Sequence, residues 1–140
     1  MLPVRDIPAP PGNPADALGV RAYTVTLLLY GPARLSAAQR RVQLHKNAVV
    51  ETEHSIRLRR SEILLRVNAE LKASGAKSNE AERSAMVDAA AAQDLGLREL
   101  TERLRGCQDL VTQATEDVLY EDSRLAAAKS LARILGGSTE

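Results

Sequence analysis

Seven basic residues are the side chains best suited to chemistry in this sequence: Arg57, Arg59, Arg60 and Arg66, with Arg40, Arg41 and Lys46 two to four turns upstream. A guanidinium fork matches a phosphate bidentately, so arginines clustered along one helix suit a polyanion backbone. Repeated around an oligomer, such a cluster would give strong, salt-sensitive binding to nucleic acid. Tyr23, Tyr30 and Tyr120 are the only aromatic residues in 140. Stacking platforms for bases are therefore scarce, and sequence-specific readout is not expected. The competing reading is a solvated basic face that neutralises an acidic helix elsewhere in the chain.

Other reactive types are poorly placed. His45 and His54 lie nine residues apart, on opposite faces of a helix, and cannot share a metal within one chain. Cys107 has no His at helical spacing and reads as a structural thiol on an apolar seam. Glu51 with Glu53, and Glu116 with Asp117, read as solvated helix charges rather than acid/base pairs. Gly136 and Gly137 follow a helix where a phosphate loop would precede one. No residue pattern argues for an enzyme, a cofactor, a metal or a small-molecule substrate.

These side chains must be positioned by helices. From Leu97, intervals of seven give Leu104, Val111, Val118, Leu125 and Ala132, while Leu100, Cys107, Ala114, Glu121, Ala128 and Leu135 form a second line offset by three. This is a heptad seam sustained to Leu135, on a helix roughly 58 Å long at 1.5 Å per residue. The large members, Leu97, Leu100, Leu104, Val111, Val118, Leu125 and Leu135, are the expected helix-packing and oligomerisation residues. Such a stripe is narrow and needs a long partner helix. Leu35, Val42, Val49, Ile56 and Ile63 supply one, at strict sevens, although its companion positions Ala38, His45, Thr52, Arg59 and Arg66 are poor. Glu121 is a charge on the seam, and in an antiparallel hairpin turning near Ser78 it is expected opposite the neighbourhood of Lys46.

Punctuation sets the remaining boundaries. Met1 to Pro14 holds five of the six prolines and reads as an extended arm. Asn13 and Pro14 suit a helix start, and Gly31 with Pro32 a stop. A short first helix is expected between them, although Tyr23 to Thr26 would also suit a strand. Gly75 suits a helix end, and Asn79 with Glu82 suits a fresh start. Asp94 could cap another segment, with Gly96 weakening the helix behind it. Four helices are expected, over 15–30, 36–73, 79–92 and 94–135. The fold class is all-α: an elongated antiparallel helical hairpin, a coiled coil, with a short N-terminal helix across one end and a Pro-rich arm.

Charge divides the chain in two. Ser36 to Lys77 carries nine bases against four acids, and Ser78 to Glu140 seven against twelve, within a total of +1. With a single cysteine and no long apolar run, the expectation is a cytoplasmic protein that does not enter membranes. One hairpin leaves apolar surface uncovered, so a homo-oligomer is expected.

The layout of basic long helix, turn and second long amphipathic helix, with Lys77-Ser78-Asn79-Glu80-Ala81-Glu82-Arg83 opening the second half, resembles small phage-encoded helical accessory proteins. In outline it is similar to the recombination mediators of the UvsY type from T-even phages. The resemblance covers Ser36 to Leu135 as an architecture. It implies a ring-forming DNA-binding protein that acts in DNA recombination, holds single-stranded DNA through basic residues and helps load a recombinase, in the cytoplasm of a bacterial host. The other expectation is a coiled-coil scaffold, adaptor or inhibitor that binds a protein partner and has no nucleic-acid role.

Overall fold

The computed structural model describes residues 17–75 and 77–137. The proline-rich arm and the start of the first helix at 15–16 lie outside the described residues. The rest is all-α, in three helices: α1 (Ala17–Ser74), α2 (Glu80–Gln93) and α3 (Leu95–Gly137). The long α1 packs against the long α3 as an antiparallel hairpin, with the short α2 between them in sequence.

The expected break at Gly31 and Pro32 does not occur. There is no separate N-terminal helix; α1 is one helix of 58 residues with Pro32 inside it. An internal proline costs about 3 kcal/mol through a lost hydrogen bond and a ring clash. Packing around it offsets that cost. Leu27 and Ala38 are buried on either side, and the Leu125 side chain lies directly on Gly31. Gly31 also removes the Cβ that makes the residue before a proline avoid helix. Nor does the β-branched run form a strand: it lies inside α1, and its hydroxyls bond back along the helix. Thr24 donates to the Val20 carbonyl and Thr26 to that of Ala22, both at 2.8 Å.

The turn follows the expected chemistry. Gly75 takes φ +68° and its N–H donates to the Lys72 carbonyl at 3.4 Å. Asn79 Oδ1 accepts the Glu82 N–H at 2.8 Å, and its amide reaches the Glu82 carboxylate at 3.4 Å. The side-chain N-cap starts α2, with the Glu82 carboxylate held by the Asn79 side-chain amide rather than by its backbone N–H. At Asp94 the backbone turns extended, and Oδ1 accepts the Leu97 N–H at 2.8 Å to open α3.

By their contacts the residues fall into two compact units, one holding residues up to Leu44 and from Val111 onward, the other His45–Leu110. In the first, Thr24, Leu27 and Ala38 of α1 are buried, as are Ala114, Glu121, Leu125 and Ala128 of α3. Its small seam residues leave room for Glu121, which accepts from Arg34 Nε at 3.2 Å and Nη2 at 3.1 Å. The expected neighbour, Lys46, lies twelve residues further along α1, about three turns away. Counting outward from a turn near Ser78 in fact puts Glu121 opposite Leu35, beside Arg34, so the expectation of Lys46 misplaced the register by about three turns.

In the second unit Ile63, Val67 and Leu97 form the buried cluster, with Ile56, Leu71, Val87, Ala90 and Ala91 packed around it. Every heptad position named on α3, from Leu97 to Leu135, is buried or half-buried. No helix among the described residues is long and apolar enough to cross a membrane.

Candidate nucleic-acid interface

Helical geometry divides the seven basic residues. Arg40 and Arg41 are exposed on the part of α1 that belongs to the first unit; the other five lie in the second. There, at 100° per residue from the inward-facing Ile63, Arg59 and Arg66 fall roughly 40–60° to one side. Arg60, Lys46 and Arg57 fall roughly 60–120° to the other. The cluster is therefore two flanks separated by the apolar seam.

On the first flank Arg59 is engaged with the protein itself, whereas Arg66 is exposed. Arg59 Nε donates to Asp94 Oδ1 at 3.0 Å and Nη2 to Oδ2 at 2.8 Å, while Nη1 reaches Glu62 Oε2 at 3.1 Å. The hydrogen bond from Arg59 holds the Asp94 carboxyl below its ordinary range. The Leu97 N–H adds to this, desolvation opposes it, and the positive charges of Arg59 and Arg66 reinforce it. The same contacts, led by the hydrogen bond to Asp94, hold the Arg59 guanidinium further towards its charged form. Gly96 makes room for this clamp, since a Cβ there would lie 3.3 Å from Arg59 Nε.

The second flank is free. Lys46, Arg57 and Arg60 are exposed, and among the described residues none of them forms an ion pair. Leu64 and Asn68 continue the same flank towards the turn, at four-residue steps from Arg60. There α1 and α2 enclose an open groove. One end, about 410 Å³, is lined by Leu64, Asn68, Glu80, Arg83 and Val87. The other, about 510 Å³, is lined by Asn68, Leu71, Lys72, Lys77 and Arg83. The basic half already includes Lys72 and Lys77, but Arg83 lies beyond the turn, and only the packing of α2 on α1 brings the three cations together.

The remaining candidates stay apart. His45 is half-buried and His54 exposed, and among the described residues no group of three His, Cys, Asp or Glu side chains is placed to hold a metal. Cys107 is half-buried beside a recess lined by Ala48, Thr52, Leu100 and Arg103.

Fold and surface together define an all-α hairpin chain with a partly engaged basic helix. No family model, curated protein or solved structure matches it.

Proposed function

We propose that this is a non-enzymatic, oligomeric accessory protein that binds the backbone of nucleic acid through the exposed bases of α1. The observation that carries the reading is the unpaired flank of Lys46, Arg57 and Arg60. Were the basic half present to neutralise the acidic half, these side chains would have carboxylate partners among the described residues, as Arg59 and Arg34 do. Arg59 belongs to the scaffold in this reading, and Arg66 supports it. The architecture favours single-stranded DNA and the class of phage recombination mediators the sequence resembles, with a recombinase as protein partner and the host cytoplasm as location.

Light scattering with in-line size exclusion, with and without a labelled single-stranded oligonucleotide at low and moderate salt, tests this. The expected result is a defined oligomer that carries the oligonucleotide at low salt and sheds it as salt rises. A defined oligomer that ignores the oligonucleotide under both conditions overturns the reading.

A second reading, a scaffold or adaptor for a protein partner, draws on a different observation. Leu58 and Leu65, seven residues apart on the outward side of α1, are 53% and 69% exposed, and Leu119 and Ile134 on α3 are 62% and 70% exposed. Large apolar side chains in outward lines suit another helix. On this reading Leu58→Glu abolishes partner binding and leaves nucleic acid without effect.

A further inference from the structure

The groove at the turn has two chemically different ends. Lys72 on the last turn of α1, Lys77 in the connection and Arg83 on α2 converge on one end from three separate elements. None of the three has an ion-pair partner among the described residues. At the other end Leu64 and Val87 form apolar walls, and Asn68 and Arg83 line both ends. The single carboxylate in the groove, Glu80, lies at the apolar end and offsets Arg83 there, so a phosphate is favoured where Lys72 and Lys77 join Arg83.

We propose that this groove seats one unstacked nucleotide of a single strand. The phosphate lies among Lys72, Lys77 and Arg83. The base lies against Leu64 and Val87, with the Asn68 amide and the Glu80 carboxylate available to its polar edge. The apolar walls supply the contact surface that aromatic residues supply in other single-strand sites. A base paired in a duplex does not enter, so the groove selects single strands. From it the strand continues along the flank of Arg60, Arg57 and Lys46. Lys72 to Lys46 spans about 39 Å of helix at 1.5 Å per residue. The inference rests on the nucleic-acid reading and names where on α1 the strand is anchored.

The test is fluorescence anisotropy over a salt series with a labelled single-stranded oligonucleotide and an abasic one of equal length. The groove variant combines Lys72→Glu, Lys77→Glu and Arg83→Glu; its control combines Arg105→Glu, Lys129→Glu and Arg133→Glu, an equal charge change at exposed sites on α3. Circular dichroism checks that both fold. The groove variant is expected to lose at least about tenfold in affinity and to flatten the log–log salt slope by about 0.7, for the one phosphate the three cations hold. The control is expected to keep the wild-type slope. Leu64→Ala is expected to weaken the normal oligonucleotide and leave the abasic one unchanged. Equal losses in the groove variant and the control, or wild-type binding by the groove variant, overturn the site. An equal effect of Leu64→Ala on both oligonucleotides overturns the base seat. Wild-type protein that binds neither strand overturns the nucleic-acid reading, and this inference with it.

Discussion

Arg59 grips Asp94 with two parallel hydrogen bonds, Nε to Oδ1 and Nη2 to Oδ2, while the same Oδ1 accepts the Leu97 N–H that opens α3. One carboxylate thus caps a helix and ties it to α1. A residue whose type advertises phosphate binding is committed to the fold. Arg59→Ala is expected to lower the melting temperature more than Arg60→Ala, by circular dichroism. Equal shifts for the two variants would remove the structural role assigned to Arg59.

Acid should act through the same carboxylate. Its folded pKa is depressed, so its contribution to stability is complete above the unfolded value near 3.8 and is lost as pH falls through the lower folded value. Melting temperatures of wild type and Asp94→Asn should therefore differ most at neutral pH and converge in acid. A gap that stays constant down through the carboxylate range would show that Asp94 acts only through its shape.

The Arg34 and Glu121 pair closes the seam of the first unit, with Glu121 only 8% exposed. Removing one partner of such a pair strands the other. Arg34→Ala is expected to cost about 2 kcal/mol in a urea titration, discounted for the partial exposure of the arginine. The double variant Arg34→Leu with Glu121→Leu should recover most of this. If Arg34→Ala is neutral, the ion pair does not hold α1 to α3.

Gly31 tests the passage of α1 through its proline. An alanine there would bring a Cβ that crowds the ring of Pro32 and sits 3.1 Å from Leu125 Cδ1. Gly31→Ala should be more favourable by about 1 kcal/mol when Leu125 is already alanine than in wild type. Strict additivity would mean that the Leu125 side chain moves aside freely.

Turn and cap chemistry gives the fifth check. Asn79→Ala is expected to cost about 1 kcal/mol by removing the acceptor for the Glu82 N–H. Gly75→Ala should cost a similar amount, about 1 kcal/mol, because φ +68° is left-handed. Urea denaturation measures both, and two silent substitutions would mean that α2 is not held at its start.

What could be read in advance followed from local rules. The α3 seam was legible because a strict heptad has one physical solution, and the turn because Gly75, Asn79 and Glu82 act on neighbours three or four residues away. The break expected at Gly31 and Pro32 was wrong because the side chain that settles it, Leu125, is distant in sequence. Glu121 was recognisable as a seam charge, and its partner's neighbourhood was legible too, since counting outward from the turn points to Leu35 and Arg34 rather than to Lys46. The basic cluster was visible as composition. Its division into an engaged and a free flank depends on Asp94, and the gathering of Lys72, Lys77 and Arg83 depends on a helix packing across a turn.

The antiparallel pairing also carries an order of assembly. Arg59 meets Asp94 across 35 residues of chain, whereas Arg34 meets Glu121 across 87. Closing the longer loop from an open chain costs about 0.8 kcal/mol more entropy than closing the shorter one. Once residues near the turn have paired, each later contact closes only a small additional loop. Folding should nucleate beside Asn79 and Asp94 and advance outward along the two long helices like a zipper, with Arg34 and Glu121 pairing after Arg59 and Asp94.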